Sequence, residues 1–511
     1  MKIALIAPTP PDINAFGIRT ISSVLKKEGY STKIIFLPGG IEHLRFDGSY
    51  VYHYGEKALG QISDLCRDAD LIGFSFMSQY FDRAVQVTDH LKKDFKDKPV
   101  IWGGTHPTCR PEESLAHCDI VCNGEGEHAV TELVEKMARG EDFTDTKGCW
   151  FKTPAGIKKN GPNRLVEDLD SLPFVDYDLE NHYVYHWRSE DIIPVDREIM
   201  ERQFPKLLYF KNRYLVSYRT MTSRGCPHRC SYCASSSMMK LRRRSVANVI
   251  EELEAALRKF PAIEQISFFD DTYFAAPAEY FEEFRDKYKK RIGLPFHAQC
   301  SPTTITERKM ELLVDAGLVY TEMGIQTGSE RIKKMYRRVV SNERMIEAAA
   351  LITKYKDRML MPDYHVILDN PWETKEDVLD TLKLLLKLPG KYNLQISSLI
   401  FFPGTELNDR ARAEGILKDE LNEVCRKPFT FPKATYLNYL IALSGFPAVP
   451  RRLLGILGSK PFVSIFESGK PSRFYEILFA LTGKVRILGK GVAALLRGDF
   501  KRIVNFFRLP R

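Results

Sequence analysis

RGCPHRCSYC, residues 224–233, places three of the chain's ten cysteines, Cys226, Cys230 and Cys233, within eight residues. Three thiolates spaced C-x3-C-x2-C suit one compact metal centre held by a single loop. Structural zinc takes four protein ligands, often in two separated pairs, and no second pair follows. An iron–sulfur cluster can be held by thiolates alone. Three ligands on four irons leave one iron open to a small molecule. Zinc and a loop of incidental reduced thiols are the competing readings.

The flanking sequence sets the fold. Strand-like runs YLVSYRTM, QISFFDD, PFHAQC, YTEMGIQ, DYHVILDN and LQISSLIFF alternate with helical stretches such as SVANVIEELEAALRKF and TKEDVLDTLKLLLKL. Six βα units fall short of an eightfold barrel, so residues 211–410 are expected to form an open partial (β/α)6 barrel. Residues 1–140 alternate KIALIA, STKIIFL, DLIGFSF, PVIWGG and DIVCNG with amphipathic stretches. That order predicts a doubly wound, Rossmann-like parallel sheet. The overall class is α/β. Residues 141–210, rich in Pro and acids without a clean period, read as a linker. Residues 411–511 read as a basic helical C-terminal extension.

The loop after the strand YLVSYRTM, with Tyr232 just before the last cysteine, resembles the signature of the radical S-adenosylmethionine (SAM) superfamily. The resemblance implies a 4Fe–4S cluster on Cys226, Cys230 and Cys233. Its open iron would bind SAM, and cleavage would give a 5′-deoxyadenosyl radical. GIQTGSERIKKMYRR is similar to the segment after the fourth barrel strand. There Gln326 would approach the SAM ribose, and Arg338, or its neighbour Arg337, the SAM carboxylate. Asp270 and Asp271, ending the second strand, would meet a cation or a hydroxyl. VILDNPWET resembles the fifth-strand pattern but departs from it at Asn370 and Trp372. Cys300 reads as a packing residue.

No G-x-G-x-x-G follows the first strand, so a dinucleotide is not indicated. Instead Asp12, Asn14 and Gly17 form D-x-N-x-x-G, followed by Ser75 in SFM and by Gly103–Gly104. The set resembles the cobalamin (B12)-binding domains of radical SAM enzymes, with Asn14 where a cobalt-ligating His would stand and Met77 in place of Leu. A histidine-ligated lower face is therefore not expected. The resemblance implies cobalamin with its nucleotide tail extended, Ser75 bonding the tail and the glycines admitting it closely. His106 reads as a loop-capping residue.

The totals bound the partners. The 511 residues are 44% hydrophobic and 28% charged, and the net charge is +9. Residues 451–511 carry thirteen Lys and Arg against three acids, so the remainder is nearly neutral. A basic block of this kind calls for an anionic partner. Apolar residues interleaved at helical spacing fit either a helical cap with a solvated basic face or a surface that lies on anionic lipid, while no recognition motif points to nucleic acid. The stretch 434–450 is uncharged but short and interrupted for a membrane span. MKIALIAPTP reads as a strand rather than an export signal, which makes the cytoplasm, with contact to a membrane surface, the expected location and the cysteines reduced.

These readings converge on a cobalamin-dependent radical SAM enzyme that methylates an unactivated carbon of a small-molecule or lipid-like substrate, with a reductant such as flavodoxin or ferredoxin. Radical cyclisation or rearrangement without methyl transfer is the alternative within the class. A non-catalytic cobalamin or redox sensor is the alternative outside it.

Overall fold

The computed structural model describes residues 1–9, 13–39, 49–206, 208–235, 240–427 and 430–496. They fall into two compact units. The first is Met1–Pro205 with Arg242–Arg244 and Phe401–Pro428, and the second is Lys206–Leu241, Ser245–Ile400 and Phe429–Arg511.

A nine-stranded sheet organises the first unit. Its strands are β1 (Lys2–Thr9), β2 (Ser31–Pro38), β3 (Leu71–Ser75), β4 (Val100–Gly103), β5 (Ile120–Cys122), β6 (Cys149–Thr153), β7 (Gly156–Lys159), β8 (His182–His186) and β9 (Asp191–Pro194), in the order 7-6-5-4-3-1-2-8-9. The central pairs are parallel. From Ile3 to Thr9 every residue of β1 is buried, as expected for a strand covered by helices on both faces. The order reverses between β1 and β3, and in such sheets the crevice beyond the carboxyl ends at that point takes the ligand.

The expected linker over 141–210 is corrected here. It contributes β6 to β9, which pair antiparallel onto the two edges, apart from the parallel join of β8 to β2. These strands have four or five residues each. All four residues of β7 are exposed, so no apolar period marks it. Pro194 closes the edge strand β9, where a missing donor costs nothing. The helix Glu56–Cys66 also lies in this unit without having been expected.

The second unit carries six parallel strands: β10 (Ser217–Thr220), β11 (Gln265–Phe268), β12 (Phe296–Cys300), β13 (Leu318–Gln326), β14 (Asp363–Leu368) and β15 (Asn393–Ser398). They pair in sequence order, as an open barrel requires. Helices between them bury the outer face, where the Phe268 ring lies 5.6 Å from Phe284 and 5.5 Å from Phe296. Residues 401–428 belong to the first unit instead of extending the barrel or its tail. The Arg110 guanidinium holds the Glu420 carboxylate there through two bonds of 2.9 and 2.8 Å.

The C-terminal extension is helical, as expected: Tyr436–Ser444, Arg451–Leu457, Lys460–Phe466 and Arg473–Leu496. The uncharged stretch forms the first of these, with Leu437, Leu440 and Ile441 buried. Among the described residues no helix is long and apolar enough to cross a membrane.

Candidate functional site

The cysteine loop leaves the carboxyl end of β10 and is clamped on both sides. Asp270, fully buried just beyond β11, accepts from the Thr222 amide (3.1 Å), the Thr222 hydroxyl (2.8 Å) and the Ser223 hydroxyl. Downstream, the Ser231 amide donates to the Tyr336 carbonyl (3.1 Å) and its hydroxyl to the Met335 carbonyl (2.7 Å). The Cys233 amide closes the turn onto the Cys230 carbonyl at 3.1 Å. Cys230 is buried, Cys226 and Cys233 are half-buried, and none is in a disulfide. The three thiols thus sit on one braced loop, a donor set that fits a 4Fe–4S cluster. Asp270 thus meets two hydroxyls, one of the two partners expected for it. Asp271 is exposed.

Gln326 ends β13, and Arg338, beyond the helix Glu330–Met335, meets the cysteine loop at Tyr232. Gln326 ends the strand at φ +66°, a conformation costly for a residue with a side chain. Its amide nitrogen occupies the space beside Gly324, where a Cβ would come within 2.5 Å. The Arg338 guanidinium donates to the Gly324 carbonyl (2.6 Å) and to the Tyr232 hydroxyl (3.4 Å). Its Nε is buried without a hydrogen-bond partner among the described residues, a donor suited to a carboxylate. Arg337, at φ +52°, is exposed. The Tyr232 ring packs edge-on against Tyr336 with centroids 4.9 Å apart. Asn370 is explained by the same wall: its amide donates to the Tyr336 hydroxyl at 3.2 Å and its carbonyl accepts from the Trp372 amide at 3.0 Å. Cys300 is buried, with the Thr321 hydroxyl 3.6 Å from its sulfur, and burial pushes its thiol up to about 12.

One cluster was not foreseen. Alternate residues of a strand share a face, and on β13 Tyr320, Glu322, Gly324 and Gln326 share the less buried one. Glu322 lies 3.5 Å from Nε2 of His297 on β12 and 3.3 Å from Nε2 of His365 on β14. Burial pushes its carboxyl up, but His365 and His297 more than offset this, so it titrates below the ordinary glutamate range. Burial pushes His297 down and Tyr320 far up. Three single residues on three separate strands leave no spacing to detect. Only the polar residues in otherwise apolar strands hinted at them.

In the first unit the structure brings Gly17, Ser75 and Gly104 together at the carboxyl ends of β1, β3 and β4. A Cβ on Gly17 would lie 3.6 Å from the Ser75 hydroxyl oxygen, and one on Gly104 3.2 Å from it. Gly104, at φ +95°, also has no room for a Cβ, which would fall 2.6 Å from the Phe76 carbonyl oxygen. A Cβ on Gly103 would meet only ordinary contacts, such as Cys122 at 3.6 Å. The result is a cradle of bare backbone around one hydroxyl, which fits a ligand that needs close approach. Asn14 is buried at the mouth of this loop. Arg19, missed in the sequence, shapes it: fully buried, its guanidinium donates to the carbonyls of Ile13 (2.9 Å) and Asn14 (3.0 Å) and lies over the Phe36 and Tyr177 rings. Asp12 lies outside the described residues. His106 is fully buried beside Phe76 and Phe81, 3.1 Å from the Ser78 hydroxyl, and burial lowers it to about 4. It is a core histidine whose partner lies in the segment after β3 rather than in its own loop.

Two family models match parts of the chain, one within each unit. The B12 binding domain model matches residues 3–134, and the Radical SAM superfamily model matches residues 220–385. The chain is 26% identical to an uncharacterized methyltransferase, PH0819, of Pyrococcus horikoshii over 68% of this chain and 71% of that one. It is 25% identical to the anaerobic magnesium-protoporphyrin IX monomethyl ester cyclase of Synechocystis over 46% of this chain and 42% of that one. Among solved structures, the fold resembles that of the radical SAM methyltransferase TsrM of Kitasatospora setae, bound to cobalamin and a 4Fe–4S cluster (TM-score 0.61, 17% identity, 81% and 75% of the two chains). It also resembles the cobalamin-dependent radical enzyme OxsB (TM-score 0.58, 16% identity, 92% and 57%).

Proposed function

We propose that this chain is a radical SAM enzyme carrying a B12 binding domain, as the two family models that match it suggest, and that it moves a methyl group from SAM to an unactivated carbon. The observation that carries this is the braced loop of Cys226, Cys230 and Cys233 in a chain that also holds a cobalamin-type cradle. When bound, the cluster, SAM and cobalamin supply a hydrogen-abstracting radical and a methyl carrier. The three cysteines would hold the cluster. Arg338 would fork the SAM carboxylate, with Gln326 and Tyr232 beside it. Gly17, Ser75, Gly103 and Gly104 would admit cobalamin, with Asn14 leaving its lower face without a histidine ligand. On this reading the cobalamin unit centres on residues 1–140 and the cluster unit on 211–410.

Glu322, with His297 and His365, would orient a polar group of a small-molecule or lipid-like substrate on the inner face of the barrel. The partners on this reading are a low-potential reductant such as flavodoxin or ferredoxin and an anionic lipid surface. The relative named as a cyclase favours a second reading, radical ring closure without methyl transfer. SAM with a deuterated methyl group separates the two. After anaerobic reconstitution and reduction, label recovered in the corrin fraction supports methyl transfer. A corrin that is retained but never labelled, while 5′-deoxyadenosine forms, supports the second reading.

A further inference from the structure

We propose that the last helix, Arg473–Leu496, lies flat on an anionic lipid bilayer and holds the enzyme there. This helix has two apolar stripes, and among the described residues only one is packed against the protein. Tyr475, Phe479 and Thr482 pack on the helix Tyr436–Ser444: the Phe479 ring is 5.3 Å from Tyr439, and the Thr482 hydroxyl is 2.8 Å from the Tyr439 hydroxyl. The other stripe is Phe474, Ile477, Leu481, Val485, Leu488 and Val492, each more than half exposed. Its spacing of three and four residues is that of one helix face. At about 100° per residue the six span an arc of roughly 80°. A monomeric protein rarely leaves such a continuous apolar stripe uncovered.

Charge selects the occupant. Arg473 and Lys484 lie on one flank of the stripe by helix position, and Glu476 lies away from it. A basic side chain beside an apolar face can keep its charge in water while its stem lies along apolar surface. The two preceding helices add exposed Leu453, Ile456 and Ile465, together with Arg452 and Lys460. Over residues 451–511 basic groups outnumber acids thirteen to three, which opposes pairing with a second copy of the same basic face. No described helix can span a bilayer. Apolar area on one face with Lys and Arg alongside is what a helix in the interfacial plane needs.

The helices are fastened to the barrel near its carboxyl-end face. Asp369, directly after β14 and at φ +60°, accepts from the Lys433 amide and the Asn438 side chain, both at 2.8 Å, and from the Ser398 hydroxyl at the end of β15. A surface-bound enzyme would therefore carry this face at a fixed place relative to the lipid.

The test is flotation of the reconstituted full chain with phosphatidylcholine–phosphatidylglycerol vesicles, against pure phosphatidylcholine vesicles. The chain should float with the anionic vesicles at about 0.1 M salt and largely lose them at about 1 M, where the Debye length falls to about 3 Å. Leu481→Glu/Leu488→Glu, placed wholly on the exposed stripe, should lower the bound fraction at least tenfold. Lys484→Glu alone should weaken anionic binding on the order of tenfold, since each basic residue near the surface contributes about 1 kcal/mol. Formation of 5′-deoxyadenosine should be unchanged in all variants, which separates this surface from the catalytic reading. Equal flotation of the double variant and the parent would overturn the proposal. So would a chain that ignores vesicles and sediments as a dimer that Leu481→Glu/Leu488→Glu dissociates, because a second copy would then cover the stripe.

Discussion

Glu373→Gln should raise the thermal midpoint of the protein, and more so at higher pH. Glu373 sits just beyond β14, mostly buried, and neither carboxylate oxygen has a well-formed hydrogen bond among the described residues. Burial pushes its carboxyl up from 4.5 to about 8, with Asp377 and Asp369 adding to the rise and the Asn370 backbone and Arg331 opposing it. The unfolded carboxyl therefore ionises near pH 4.5 while the folded one keeps its proton to about pH 8. Between those values the unfolded state binds fewer protons, so stability falls as pH rises, by about 1.4 kcal/mol per unit. The loss is about 1.4 kcal/mol at pH 5.5 and on the order of 4–5 kcal/mol above pH 8. Glutamine has nearly the same shape and no proton to lose, so the variant escapes this loss. At about 2 °C per kcal/mol for a unit of this size, the gain in midpoint is about 3 °C at pH 5.5 and roughly 9 °C at pH 8.5. The assay is a pair of calorimetric scans across that range at one scan rate. A gain that does not grow with pH, or a variant less stable than the parent at pH 8.5, would refute the assignment of Glu373 as a proton-retaining buried acid.

Three further substitutions probe the site. Gly324→Ala should displace the Gln326 side chain, since the new Cβ would fall 2.5 Å from its amide nitrogen; SAM affinity by equilibrium dialysis should drop about tenfold, which corresponds to about 1.4 kcal/mol, with the thermal midpoint little changed. Arg338→Lys keeps the charge but loses the fork that reaches the Gly324 carbonyl and Tyr232, and should weaken SAM binding about tenfold or more. Asp270→Asn would turn donors toward a buried position that now accepts three; it should cost on the order of 2–4 kcal/mol and lower the iron and sulfide recovered per chain after reconstitution.

What could be read in the sequence was what carries a period or a fixed spacing. The six barrel strands and the five central strands of the first sheet are short apolar runs between amphipathic helices, and each was expected where it lies. The cysteine triplet was legible because its spacing is local. The strands β6 to β9 were not, because an edge strand such as Gly156–Lys159 exposes every side chain and leaves no pattern. Nor could spacing show that Asp270 braces the residues before Cys226, since the partners are 47 and 48 positions apart. Glu322, His297 and His365 meet only because β12, β13 and β14 are neighbours in the barrel. Arg19 belongs to no motif in the sequence, and its burial depends on carbonyls that only the folded loop presents.

The measurement that bears most directly on the whole account is anaerobic. The chain is reconstituted with iron, sulfide and hydroxocobalamin, reduced, given SAM, and assayed for 5′-deoxyadenosine beside a Cys226→Ala/Cys230→Ala/Cys233→Ala control. The account predicts 5′-deoxyadenosine from the parent and none from the control. Equal amounts from both, or none from a parent whose cluster is intact and whose SAM is bound, would contradict it.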